Sequence, residues 1–132
     1  MEFCRKLTAL ESSTGRLQKG WIYTLPTEAQ WTEFAQGAEL DHAVTSFQRS
    51  QRGNAEAVGT LQANPAGLYD VRGNVWEWCL GPGDQKVLRG GDYDDFTATG
   101  LTPTLSPQYR WTLQPDQRKP QAGFRVVLAK QP

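Results

Sequence analysis

Cysteine is scarce, with two in 132 residues. Cys4 and Cys79 are too few for a disulfide framework, and each reads as a small buried thiol. Histidine is scarcer still, because His42 stands alone. One imidazole cannot build a histidine-rich iron site. A Ser-His-Asp hydrolase arrangement finds no nucleophile-elbow motif to support it, so His42 reads as a surface or satisfied side chain. Neither sign of charge is in excess, since Lys+Arg and Asp+Glu number 14 each. That balance implies no electrostatic pull toward nucleic acid or an anionic membrane. No apolar run approaches the ~20 residues of a membrane helix, and no signal-peptide pattern heads the sequence. The default expectation is a cytoplasmic protein without a membrane partner. Internal repeats, low-complexity tracts and linkers are also missing, and one domain over 1–132 is expected. Gly90-Gly91 follows a strand pattern but leads to no helix start and no Walker lysine, which excludes a phosphate cradle of that kind.

What is present is aromatic and turn-rich: five Trp, 13 Gly and eight Pro. Such a mix suits a loop-rich domain pinned by aromatic packing. Phe3, Leu7 and Leu10 recur at i, i+4 and i+7 and predict a helix from Met1 to about Glu11. Trp21 to Leu25 reads as a short strand. Thr27 with Gln30 three residues on forms a capping-box pattern. It opens a helix whose inner face carries Trp31, Phe34 and Ala35 and which stops at Gly37. Turns are expected at Gln51-Arg52-Gly53-Asn54, at Asn64-Pro65 and at Gly81-Pro82-Gly83-Asp84. Val75, Trp76 and Trp78 form a β-prone run, Val87-Leu88-Arg89 its hairpin partner, and Phe124 to Leu128 a closing strand. From Thr97 to Pro120 the chain has four prolines and little periodicity, which marks a functional loop or one held by packing.

Within the central run, Glu77 alternates with Trp76 and Trp78 and so points to the opposite face. A carboxylate placed there needs an arginine, a cluster of N–H groups or a metal ion.

Gly67-Leu68-Tyr69-Asp70-Val71-Arg72-Gly73-Asn74-Val75-Trp76-Glu77-Trp78 resembles the signature of formylglycine-generating (sulfatase-modifying) domains. Leu25-Pro26-Thr27-Glu28-Ala29-Gln30-Trp31, Val87-Leu88-Arg89-Gly90-Gly91 and Gly123-Phe124-Arg125-Val126-Val127 agree in the same order. The resemblance implies an α+β, C-type-lectin-like fold. Two helices would pack on a small, twisted, mostly antiparallel sheet with long irregular loops. Measured against that family, an upstream part of the domain is expected to be missing, which raises a partner chain or a second copy as a completing element.

The resemblance also bears on chemistry. Active enzymes of the family use a cysteine pair after the Arg-Gly-Gly motif to bind copper and oxidise a thiol. The corresponding stretch, Asp92 to Arg110, holds no cysteine, so no copper and no catalytic residues are expected. Asn74 and Glu77 match positions that resemble calcium ligands. The alternative is that Asn74 caps a turn while Glu77 pairs with Arg89 or Arg125. A second calcium loop common in such domains has no matching ligands here. The related variable proteins of diversity-generating retroelements display ligand-contacting residues between the Arg-Gly-Gly and Gly-Phe-Arg motifs. In this chain that region offers Asp92, Tyr93, Asp94, Phe96, Tyr109, Arg110 and Trp111, aromatic area mixed with charge, as binding surfaces use. The leading expectation is a non-catalytic module that binds a protein or small-molecule ligand through 92–111. The alternatives are a thiol oxidase of the family type and a structural subunit.

Overall fold

The computed structural model describes residues 1–45, 54–83, 85–95, 103–114 and 116–131. Gln51, Arg52 and Gly53 of one expected turn, Asp84 of another, and Phe96 lie outside them. The elements are α1 (Glu2–Ser13), β1 (Trp21–Thr24), α2 (Glu28–Phe34), β2 (Trp76–Leu80), β3 (Lys86–Arg89), β4 (Trp111–Thr112), β5 (Ala122–Gly123) and β6 (Val127–Lys130). Short 3-10 turns cover Leu40–His42 and Pro103–Leu105.

The strands make two sheets where the sequence suggested one. β4-β3-β2-β5 form the larger, antiparallel except where β5 runs parallel to β2. β1 and β6 pair separately, from Trp21↔Lys130 to Thr24↔Val127. The expected closing strand from Phe124 is divided, because Phe124, Arg125 and Val126 cross between β5 and β6. That crossing aims Arg125 inward, as described below.

Helix α2 starts where its sequence says. Thr27 accepts from Gln30 N at 3.2 Å, and the Gln30 side chain accepts from Thr27 N at 2.9 Å. This reciprocal cap satisfies two backbone donors that a helix start leaves unpaired. Trp31 then drops into the core, fully buried with Ala35, Val71, Cys79 and Val87. Cys79 and Val87 are partners across the β2–β3 hairpin and face α2 together.

Helix α1 is rotated from its expected phase. Its buried residue is Cys4, while Phe3 and Leu10 are exposed. The reason is polar: the Thr8 hydroxyl accepts from Tyr23 N at 2.9 Å, which turns the Cys4/Thr8 side of the helix toward β1.

Gly73 marks the tightest approach in the fold. At φ 75° it donates to Gly90 O at 2.8 Å, and a Cβ there would lie 2.5 Å from Val44 O. Gly15 has a similar φ of 71° but open space around it. Gly15→Ala should therefore cost about 1 kcal/mol, the strain of a left-handed backbone alone. Gly73→Ala should cost at least about twice that, because backbone must move as well. Paired urea-unfolding curves check the ranking, and equal midpoints would refute the close approach.

Candidate functional site

The sequence motif around Glu77 is folded into a clamp. Glu77 lies on β2 facing α2, buried. Arg125 Nε donates to both carboxylate oxygens at 2.9 and 2.8 Å, and Arg125 Nη2 donates to Oε1 as well. Trp31 Nε1 adds a bond to Oε2 at 2.8 Å. Burial pushes the Glu77 carboxyl upward, and Arg125 and Trp31 pull against that shift. Of the two arginines the sequence offered, Arg125 is the partner. Arg89 is opposite Glu77 in strand register but turns to Glu28 instead.

Asn74 sits beside the clamp in a left-handed conformation, φ 62°. Its amide is engaged by backbone: Oδ1 accepts from Glu56 N at 3.0 Å and Nδ2 donates to Glu56 O at 3.2 Å. Asn74 thus holds a distant loop rather than capping its own turn.

The neighbouring residue that sequence reasoning passed over is Asp70. It too is left-handed, φ 53°, in a region costly for a non-glycine residue. Oδ2 accepts from Gly59 N at 2.7 Å, while Oδ1 is buried without a hydrogen-bond partner among the described residues. Asp70 and Glu77 line one cleft of about 520 Å³, together with Asn74, Tyr69 and Arg125. Two carboxylates there face one guanidinium, so the cleft has negative charge left over. Calcium takes six to eight oxygen ligands; both Glu77 oxygens are already engaged by Arg125 and Trp31, and no group of three or more His, Cys, Asp or Glu side chains able to hold a metal ion occurs among the described residues. Of the calcium pair read from the sequence, Asn74 is spent on Glu56 and Glu77 on Arg125 and Trp31.

The described parts of the 92–111 stretch, 92–95 and 103–111, are tied together by side chains. Asp92 accepts from Trp76 Nε1 at 2.8 Å and from Asp94 N at 2.7 Å, and its own N–H reaches Asp95 Oδ2 at 2.8 Å. Thr104 Oγ1 donates to Asp95 Oδ1 at 2.8 Å, which joins Thr104 to the Asp92–Asp95 segment. Burial raises the Asp92 carboxyl, and the bonds from Asp94 and Trp76 oppose it. Tyr93 is buried, with its N–H on Asn74 O at 3.0 Å. Tyr109 and Trp111 pack on Trp76 with ring centroids at 5.9 and 5.5 Å. The candidate residues thus divide. Asp92 and Tyr93 belong to the interior, Asp94 and Arg110 are exposed, and Tyr109 and Trp111 are half-buried.

Arg110 also has a structural task. Its Nε and Nη2 grip Glu28 at 3.0 and 2.8 Å, and Arg89 Nη1 meets the same carboxylate at 2.9 Å. Arg89 in turn stacks over Trp31, 5.0 Å from the ring centroid, and donates to the Pro107 carbonyl. Helix α2 therefore holds the loop from below. The sequence separation of 82 between Glu28 and Arg110 hides this contact from any local pattern.

Neither cysteine suits thiol oxidation through copper. Cys79 is fully buried in the α2 core. Burial, and then the Glu77 charge, push its thiol up to about 12, whereas a copper(I) site needs reachable thiolates. Cys4 is buried beneath α1. The donor set does not fit that metal.

Two helices over small, mostly antiparallel sheets, with long irregular chain tied by side chains, define a C-type-lectin-like domain. The model of the sulfatase-modifying factor enzyme 1-like domain matches residues 1–130, and the chain belongs to that family. Among solved structures it is similar to Treponema denticola variable protein 1, at TM-score 0.67 and 28% identity, over 83% of this chain and 48% of that one. It is also similar in fold to PvdO from Pseudomonas aeruginosa, at TM-score 0.66 and 21% identity, over 96% of this chain and 58% of that one. A 65-residue match at 38% identity relates it to the serine/threonine-protein kinase pkn1 of Chlamydia caviae, over 42% of this chain and 10% of that protein. The chain thus spans about half the length of these solved relatives and a tenth of the kinase. No helix among the described residues is long and apolar enough to cross a membrane.

Burial alone would raise the Glu28 carboxyl, but Arg110 and Arg89 outweigh it and hold it below its ordinary value. Its stabilisation is therefore present above the ordinary carboxylate range and lost as pH falls through the lowered value. Glu28→Gln leaves Arg89 buried without its counter-ion and should cost about 3 kcal/mol at pH 7. The gap from the parent should close below about pH 4. Denaturant curves at pH 7 and pH 3 test this, and a gap that stays constant would reject it.

Proposed function

We propose that this chain is a non-catalytic ligand-binding module on the formylglycine-generating scaffold, with its contact face on the loop region between Asp92 and Trp111. The observation that carries the reading is the layer of Tyr109 and Trp111 on Trp76, fixed from beneath by Asp92. Aromatic area that is rigid before contact binds with little ordering cost. Asp94, Tyr109, Arg110 and Trp111 are the contacting groups, and Asp92 and Tyr93 support them. Phe96 belongs to the same stretch of sequence. The similarity to a variable protein supports this use of the fold. The thiols of this chain support it from the other side, since neither is placed to react. The ligand class is a protein or a small molecule bearing apolar surface beside an acidic group for Arg110.

Calcium, in this reading, is a structural companion at the Asp70 edge of the cleft, where Asp70 Oδ1 has no hydrogen-bond partner among the described residues. When bound, the ion supplies positive charge and fixes the left-handed turn at Asp70. It takes no part in a reaction.

A panel of immobilised peptides and glycans, probed with the full chain, tests the contact face. Trp111→Ala and Arg110→Ala should each weaken a captured ligand at least about tenfold, a loss common for interface anchors. Unchanged capture by both variants would sink the proposal. For calcium, the thermal midpoint should rise by a few degrees in millimolar calcium over a chelator, since a ligand that binds only the folded state stabilises it. Asp70→Asn should abolish the rise. Identical melts of the parent chain with and without calcium would dismiss the ion.

A further inference from the structure

Seven large apolar side chains stand exposed among the described residues, and five of them join into one strip. Single exposed apolar groups are ordinary, but a continuous patch marks a surface that meets something. Phe3 and Phe124 touch edge to face, centroids 5.1 Å apart, yet stay 54% and 47% exposed. On one side they border a cleft of about 160 Å³ with Met1 and Trp78. On the other, Phe124 lines the Asp70 cleft together with Tyr69 and Val58. Met1, Phe3, Phe124, Tyr69 and Val58 thus run in sequence across the surface, with Phe124 in the middle and Val58 84% exposed.

The fold itself places these groups outside. The bond from Tyr23 N to Thr8 turns Cys4 inward and leaves Phe3 on the open side of α1. Arg125 points in to Glu77, which turns its neighbour Phe124 out. Arg125 Nη2 also donates to the Tyr69 carbonyl, and that bond holds Tyr69 next to the crossing.

The ends of the strip carry opposite charge. At the α1 end, Arg5 and Lys6 share one carboxylate, Glu2, at 2.7 and 3.6 Å, so positive charge is left over. At the other end, Asp70 and Glu77 outnumber Arg125 among the residues that line the cleft, and Glu56 is tied beside them through Asn74.

We propose that this strip is the interface of a two-fold dimer, covered by a second copy of the chain. A two-fold contact sets one patch against itself, so a surface used this way must be self-complementary. With the axis near Phe124, each basic end lies over the acidic end of the other copy, and the apolar middle is buried between them. A lipid surface or a partner of one charge would match one end and repel the other. The strip is separate from the 92–111 contact face, and neither depends on the other.

Sedimentation equilibrium of the full chain tests this, in a chelating buffer that keeps the Asp70 end acidic whether or not calcium binds there. A monomer–dimer equilibrium is expected with Kd of about 10–100 μM, as suits a small interface. Phe124→Asp and Val58→Lys should each weaken it at least about tenfold, as loss of an interface anchor does. Val58 is so exposed that its replacement leaves the fold intact, which guards against a Phe124→Asp chain that does not fold. Arg5→Glu combined with Lys6→Glu should weaken the dimer too. Zero-length carbodiimide coupling of mixed isotope-labelled and unlabelled copies should join Lys6 of one copy to Asp70 or Glu56 of the other. A strict monomer up to submillimolar concentration would overturn the proposal. So would a dimer that survives Val58→Lys, or cross-links gathered on 92–111. Trp111→Ala and Arg110→Ala should leave the dimer unchanged, which separates a failure here from a failure of the loop reading.

Discussion

A single buried carboxylate holds the domain together. Glu77 on β2 receives Trp31 from α2 and Arg125 from the crossing between β5 and β6. Arg125 continues to the Tyr69 carbonyl at 3.0 Å and covers the Phe34 ring at 5.7 Å. Helix, hairpin, central turn and C-terminal segment thus converge on two oxygens. Desolvating that charge is expensive, and only several donors of good geometry offset the cost. The same requirement makes the arrangement specific. A shift of β2 by one residue would send Glu77 to the other face and leave both the carboxylate and the guanidinium unpaired.

Alternation along β2 then divides the labour. Glu77 and Cys79 face α2 and belong to the core. Trp76 and Trp78 face the other way, and each organises different surroundings. Trp76 reaches Asp92 and carries Tyr109 and Trp111. Trp78 lines the cleft beneath Phe3 and Phe124. One five-residue strand therefore fixes the core on one side and two separate surfaces on the other. The polar bonds around Asp92 and Asp95 tie residues 92–95 to Thr104.

Local rules were enough where a feature depends on neighbours in sequence. Thr27 and Gln30 announced the start of α2, and the turn at Gly81-Pro82-Gly83 announced the β2–β3 hairpin. The demand of Glu77 for a partner was legible from alternation, and Arg125 was one of two candidates. Features set by distant contacts were not. β4 and β5 have two residues each, too few to show periodicity. The phase of α1 was misread because the Thr8 bond to β1 outweighed the Phe3/Leu7/Leu10 pattern. Asp70 was not singled out within the signature motif. A non-glycine residue in a tight turn beside a buried carboxylate was the available signal. Asp92 and Tyr93 looked like surface groups because aspartate and tyrosine usually are, and only the Trp76 indole shows why Asp92 is drawn inward.

The position of sulfur bears on what such a scaffold can do. Oxidative thiol chemistry needs an ionised, reachable sulfur. The one thiol near the signature motif is packed against Trp31, Val71 and Val87, where burial and the Glu77 charge keep it protonated. Freeing Cys79 would mean dismantling the core that carries the clamp, so reactivity there and stability here are mutually exclusive. The unspent chemistry of the molecule lies elsewhere. Asp70 keeps an oxygen without a donor among the described residues. Tyr109 and Trp111 remain half-covered over Trp76. Phe3 and Phe124 stay exposed across a cleft that Lys86 borders. The aromatic groups among these are held in place by the fold yet left partly open to solvent, so burying them further would lower the free energy.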